Sequence, residues 1–337
     1  MVDFVDKVPF FAVFLLLILG FVCLIKGADI FVSGSSSVAK RFHVPSIIIG
    51  LTIVAMGTSL PETAVSVTAS LANNNELAIS NAVGSNIFNL MVVIGVCALI
   101  TSVNVAKETV TRDIPISLCC ALLLLGMGFL PLADPTEKAE GVVGYLGHLD
   151  GIILIIIFIC YILFLIRAAL KSRKEGNNTA GGEEEEIKLL SMPKSIIFIL
   201  LGGCLIAIGG ELTVDSASRI AIEFGMSQTL VGLTIASIGT SLPELVTSIV
   251  AARKNELDMA LGNAVGSNVF NILMVLGIAS AISPIALIAF NVIDIAILLV
   301  FSILVWILAA SKRNINRIEG LIMVALYVAY AVYIVIR

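Results

Sequence analysis

The sequence predicts an all-α polytopic membrane protein, built as ten transmembrane helices in two inverted five-helix repeats. Three observations carry that expectation. Of 337 residues, 59% are apolar and 13% charged, with a mean hydropathy of +1.09. Apolar runs of about 20 residues, enough to cross roughly 30 Å of hydrocarbon, recur along the whole chain. A block of the first half also returns in the second, with two short motifs repeated almost unchanged. In lipid such runs must be helical, because no water satisfies an open backbone. A soluble globular chain is excluded, the lipid bilayer is the expected surrounding, and neither a nucleic acid nor an obligate protein partner is expected.

The ten spans are read near 9–31, 45–71, 78–102, 112–131, 149–170, 194–222, 228–252, 260–283, 288–310 and 318–336. The first follows acidic Asp3 and Asp6 and lacks a clear small-residue cleavage site. It therefore reads as a retained helix, not a leader. Cys23, Cys97, Cys119, Cys120, Cys160 and Cys204 lie in apolar runs without CxxC or Cys/His spacing. They are expected as small buried hydrophobes. His43 and His148 fall in expected loops.

The chain divides into a first five-helix repeat at 1–170, a linker at 171–193 and a second repeat at 194–337. The linker is polar and carries the run Glu183–Glu186, which suits a solvated tether better than a cation sensor. With ten spans both termini share one side. That side holds Lys7, Lys138, Arg219 and Arg337, whereas fifteen Lys and Arg fall in the opposite loops and linker. The basic side faces the cytoplasm, so the linker is expected inside and both termini outside a multi-pass cell-membrane protein.

The repeat is exposed by an offset of 182 residues. GTSLPE at 57–62 then meets GTSLPE at 239–244, and NAVGSNIFN at 81–89 meets NAVGSNVFN at 263–271. Between 50–90 and 232–272, 22 of 41 positions are identical. Five spans per copy is an odd number, so the second copy enters the membrane from the opposite side. Inverted repeats of this kind place a substrate site at their interface near the midplane.

Within the first motif, Pro61 lacks an N–H and its ring clashes with the Gly57 carbonyl. The helix is expected to break around 55–59 and leave carbonyls near Ala55 unpaired. Pro243 and Gly239 should do the same near Ser237. Thr58 and Glu62, spaced i, i+4, share a helix face, and Ser59 lies beside them. Thr240, Ser241 and Glu244 mirror them. The second motif adds Ser85 and Asn89, mirrored by Ser267 and Asn271. Hydroxyls in membrane helices often only bond a backbone carbonyl. Intramembrane acids such as Glu62 and Glu244 are rare and mark a pathway. No basic residue lies inside these spans to pair them. Carboxylates, hydroxyls, amides and carbonyls without nitrogen or sulfur donors form the ligand set of a hard cation, Ca²⁺ or Na⁺. Asp29, Glu211, Asp215 and Asp294 read as interfacial or packing groups.

These paired motifs in two five-helix halves resemble the sodium/calcium exchanger branch of the cation/calcium exchanger superfamily. The resemblance implies a ten-helix fold and sodium-driven calcium transport, with Ca²⁺ and Na⁺ as transported ions and no cofactor. It implies Glu62 and Glu244 as central Ca²⁺ ligands, with Thr58 and Thr240 beside them. Ser59, Ser241, Ser85, Ser267 and the carbonyls of Ala55 and Ser237 would form flanking Na⁺ sites, with Asn89 and Asn271 facing the same cavity. Some relatives, including potassium-dependent exchangers, carry Asp where this chain has Asn271, which argues against K⁺ cotransport. Alternating access is the expected mechanism, with the first and sixth spans as the sliding element. Ca²⁺/H⁺ antiport is the alternative, since protons could neutralise the same glutamates. A cation channel fits less well, and no intramembrane-enzyme motif is evident.

Overall fold

Helices stand where the apolar runs stand. The computed structural model describes residues 5, 7–72, 75–130, 141–174, 190–226 and 237–336. The first half contains α1 (Phe10–Phe42), α2 (Ser46–Thr58), α3 (Leu60–Leu71), α4 (Glu76–Ile100), α5 (Thr109–Phe129) and α6 (His148–Lys174). The second contains α7 (Met192–Glu223), a single turn at Ser237–Gly239, α8 (Leu242–Arg253), α9 (Leu257–Ile282), α10 (Ala289–Lys312) and α11 (Arg317–Ile336). Among the described residues, eight helices are long and apolar enough to cross a membrane, and the bent pair α2–α3 makes a ninth candidate. The expected span 228–252 begins outside the described residues, as does most of the 171–193 linker.

Outward faces are apolar. On α1, Leu15, Ile18, Leu19, Val22 and Ile25 are exposed, the stripe of a helix that meets lipid rather than water. The same geometry corrects the expectation for the cysteines. Cys97 and Cys120 are buried, but Cys119, Cys160 and Cys204 are exposed. A lipid-facing surface is as apolar as the interior, so hydropathy alone does not separate the two.

Helix α1 is longer than the run that predicted it. Its 33 residues span about 50 Å, more than a bilayer core. It continues through the serine-rich stretch after residue 31 because those serines are buried against the second half. Ser36 donates to Glu256 and Lys254 donates to Ser33 Oγ at 2.6 Å. Lys254 also pairs with Asp29 at 2.8 Å. The helix stops at His43, whose left-handed backbone (φ 52°, ψ 41°) returns its N–H to Ala39 and Lys40.

Small residues fix how the equivalent helices α1 and α7 meet. A Cβ on Gly20 would lie 3.1 Å from Gly209 O, one on Gly27 3.0 Å from Gly202 O, and one on Gly34 2.8 Å from Ser195 O. As the number rises along α1 it falls along α7, so the two cross antiparallel at backbone contact. A second pair of contacts is exchanged between halves. Gly95 of α4 packs on Gly320 of α11, and Gly277 of α9 packs on Gly151 of α6. Of the candidate spans α4 and α9 are the most buried, and each packs against the helix before it, α3 and α8.

The all-α expectation needs one addition. Two small antiparallel ribbons tie the helix ends together: β1 (Val103–Asn104) with β4 (Asn314–Ile315), and β2 (Val142–Leu146) with β3 (Ile285–Ile288). Such short strands, paired between halves, leave no alternation long enough to read.

Candidate ion-binding site

The helix breaks where proline demands it. Ser59 (φ −86°, ψ 14°) separates α2 from α3, and the axes bend by 49°. Pro61, in the first turn of α3, has no N–H to return to the Gly57 carbonyl. Ser241 (φ −92°, ψ 4°) and Pro243 do the same at the start of α8. Glu62 and Glu244 therefore sit in the first turns of two helices, where unpaired N–H groups and the helix dipole favour negative charge.

One expectation is corrected. The Ala55 carbonyl is not unpaired: Ser59 N donates to it at 3.0 Å and Thr58 Oγ1 approaches at 3.3 Å. The disruption falls later, between Gly57 and Pro61, because the last α2 turn closes before the missing donor is felt. In the second half Ser241 N donates instead to Ile238 O at 3.1 Å. Ser237 opens that short turn, and the residues before it lie outside the described set.

The carboxylates are held by exchange between halves. Both are fully buried. Ser59 donates to Glu244 Oε1 at 2.8 Å, and Ser241 donates to Glu62 Oε1 at 3.1 Å. Ser267 Oγ lies 3.5 Å from Glu244 Oε1. Ser85 stands beside Glu62, and Thr58 beside Glu244. The other oxygens, Glu62 Oε2 and Glu244 Oε2, are buried without a hydrogen-bond partner, as are the amide oxygen and nitrogen of Asn89 and Oδ1 of Asn271. Among the described residues neither glutamate has a basic partner.

Two carboxylates in a protein interior cost several kcal/mol each without compensation. A divalent cation would compensate both, and these orphaned oxygens are the donors it needs. Asn89 and Asn271 each open a five-residue π turn, at Asn89–Val93 and Asn271–Val275. There the ladder slips by one residue, a distortion concentrated at functional sites.

Of the twelve residues singled out from the sequence, Thr58, Ser59, Glu62, Ser85, Asn89, Ser241, Glu244, Ser267 and Asn271 are all buried. Thr240 is part-buried. Ala55 is buried, with its oxygen engaged as above. Sequence reasoning missed Asn81 and Asn263. Asn81 Nδ2 donates to Glu62 O at 3.2 Å and Ser66 Oγ at 3.0 Å. Asn263 Nδ2 donates to Glu244 O at 3.2 Å and Ser248 Oγ at 2.9 Å. Also missed were Asn86 and Asn268, whose side-chain amides clasp each other's backbone carbonyls at 3.2 and 3.1 Å. The signal was present, since every one of these letters is identical in both copies.

The family described as sodium/calcium exchanger protein matches residues 12–167 and 194–336. The chain belongs to that family. CaxA of Alkalimonas amylolytica, which carries an antiporter name, is 38% identical over 327 residues, covering 93% of this chain and 95% of its own. The sodium/calcium exchanger MaX1 of Methanosarcina acetivorans is 30% identical over 346 residues, covering 95% and 97%. A solved structure of the sodium-calcium exchanger NCX_Mj, soaked with Na⁺ and Sr²⁺, superimposes with a TM-score of 0.79 at 31% identity, over 95% of this chain and 98% of that one. As a member of the family this chain is a transmembrane cation/Ca²⁺ exchanger, an ion transporter and not an enzyme.

Proposed function

We propose that the chain exchanges Na⁺ for Ca²⁺ across the cell membrane by alternating access, without K⁺ and with net movement of charge. The observation that carries this reading is the reciprocal pair Ser59–Glu244 and Ser241–Glu62, with one oxygen of each carboxylate left for a cation. A Ca²⁺ ion would take those two oxygens, with Thr58 and Thr240 beside it. Na⁺ would compete from flanking positions built of Ser59, Ser241, Ser85, Ser267 and the carbonyls of Ala55 and Ser237. Asn89 and Asn271 would complete the cavity as neutral donors. An unloaded site would carry two uncompensated charges through the barrier, which suppresses leak.

In this reading the chain has ten membrane helices in two halves of opposite orientation. The antiparallel crossing of α1 and α7 and the exchanged glycine contacts support it. The pair α1–α7 would be the sliding element. Both termini would lie outside and the 171–193 linker inside. The printed names of MaX1 and NCX_Mj support Na⁺ and Ca²⁺ as the ions; that of CaxA leaves the coupling ion open.

The test is uptake of radiolabelled Ca²⁺ into sealed vesicles of the purified protein, loaded in turn with Na⁺, K⁺ or acid. Uptake is expected only with Na⁺ inside. Uptake driven by acid alone assigns Ca²⁺/H⁺ antiport instead, and uptake with no counter-ion assigns a channel.

A further inference from the structure

Asn81 and Asn263 use both ends of their amides, and each end faces a different half of the molecule. The amide nitrogen of Asn263 is held by two acceptors of its own half, Glu244 O and Ser248 Oγ. Ser248 sends its own proton on to Ala260 O at 3.4 Å, so its oxygen is left to accept. Those two contacts fix which way the amide faces, because a flipped group would set its oxygen against two acceptors. Oδ1 must then point the other way, and there it meets Thr58 of the first half at 3.0 Å. Asn81 repeats the arrangement: Nδ2 is held by Glu62 O and Ser66 Oγ, and Oδ1 accepts from Thr240 at 3.3 Å.

A threonine hydroxyl has one proton and two lone pairs. Thr58 Oγ1 lies within reach of three acceptors: Asn263 Oδ1 at 3.0 Å, Val54 O at 3.1 Å and Ala55 O at 3.3 Å. If the proton points at a carbonyl of its own helix, that carbonyl is engaged. If it points at Asn263, the hydroxyl takes up neither carbonyl, and its lone pairs are open to a cation.

We propose that Asn81 and Asn263 are positioning residues that orient the threonine of the opposite half, so that its oxygen and not its proton faces the transported ion. The same amide holds the carbonyl of its own half's glutamate at the helix break. Each asparagine thus ties one half-site to the other, and an ion that moves one threonine pulls on the opposite glutamate's helix. The proposal rests on Thr58 and Thr240 bordering the ion site, but not on which ion drives exchange.

The test is a double-mutant cycle across the halves, read as half-saturating Ca²⁺ and Na⁺ in reconstituted vesicles. Asn263→Leu and Thr58→Val are each expected to raise a half-saturating concentration roughly three- to tenfold, the worth of one hydrogen bond. The double variant should be no worse than the weaker single, because the asparagine acts through the threonine. Asn263→Leu with Thr240→Val should instead multiply. Thr58→Ser, which keeps the hydroxyl, should be near wild type. If Asn263→Leu does not reach the membrane folded, Asn81→Leu supplies the mirror cycle, coupled to Thr240 and not to Thr58. Multiplying effects in the Asn263–Thr58 pair overturn the proposal, as does a normal Thr58→Val beside an impaired Asn263→Leu. Failure of the Na⁺/Ca²⁺ reading shows separately, as wild-type uptake driven by acid instead of Na⁺.

Discussion

Glu62 and Glu244 each accept at one oxygen from a serine of the other half and leave the second oxygen without a protein donor. An amide in place of either carboxylate preserves shape and removes a full charge from a buried site. Glu62→Gln and Glu244→Gln are each expected to cut Ca²⁺ exchange about a hundredfold or more, on the scale of losing one partner from a buried pair. Both should still insert and fold, because no basic partner is left unpaired. Near-normal exchange by either variant in vesicles removes the central claim. Asn271 bears on K⁺: its Nδ2 donates to Asn86 Oδ1 at 3.2 Å, while its own Oδ1 is free of protein donors. A neutral donor there supplies no third carboxylate, so exchange should persist when K⁺ is replaced by an inert cation. Arrest under that replacement overturns the assignment. The glutamates and hydroxyls were legible because a polar letter in an apolar run is expensive and the chain writes each one twice. Asn81 and Asn263 were not, because their roles depend on an acceptor and a donor on other helices. The Ala55 carbonyl was misjudged because a proline's effect on the preceding turn depends on how that turn closes.

Among the elements, the breaks at proline could be read from the motifs, but the close crossing of α1 and α7 could not. Gly20, Gly27 and Gly34 recur every seven residues, as do Ser195, Gly202 and Gly209. Only the structure matches the two series. The π turns at Asn89 and Asn271 were also hidden, since a one-residue slip leaves the apolar pattern nearly unchanged. At the crossing, a Cβ on Gly202 would lie 2.7 Å from the Phe31 backbone nitrogen. Neither helix can yield there without separating. On the adjoining Gly203 it would lie 3.7 Å from the Phe31 ring, an ordinary contact. Gly202→Ala is therefore expected to destabilise the protein by about 1–3 kcal/mol, as overpacking does. It should slow exchange as well. Gly203→Ala should be neutral or slightly stabilising. Thermal unfolding of the two variants in detergent compares them directly, and equal melting temperatures would contradict backbone contact between α1 and α7.

For the whole molecule, orientation comes first. Cysteines placed at 175–188 in a cysteine-free background should react only from the cytoplasmic side, as the fifteen-to-four distribution of basic residues requires. Labelling of intact cells by an impermeant thiol reagent reverses the assignment. Membrane potential then follows from charge at the site. Ca²⁺ on two ionised glutamates leaves it neutral, 2 − 2 = 0, because the serines, threonines and asparagines around them add none. Room for three Na⁺ on the hydroxyl-rich flanks would give 3 − 2 = +1. The two half-cycles then carry unequal charge, so inward Na⁺ and outward Ca²⁺ bring one positive charge in per turnover. At about 100 mV, inside negative, that charge adds roughly 2.3 kcal/mol toward Ca²⁺ extrusion. An inside-negative K⁺-diffusion potential should accordingly retard Ca²⁺ uptake into Na⁺-loaded vesicles, and an inside-positive one should accelerate it. If imposed potentials change neither the initial rate nor the final Ca²⁺ gradient, exchange is two for one and the three-Na⁺ reading fails. The charge count would then require only two of the flanking positions to fill, with the remaining hydroxyls of Ser59, Ser241, Ser85 and Ser267 serving the glutamates alone.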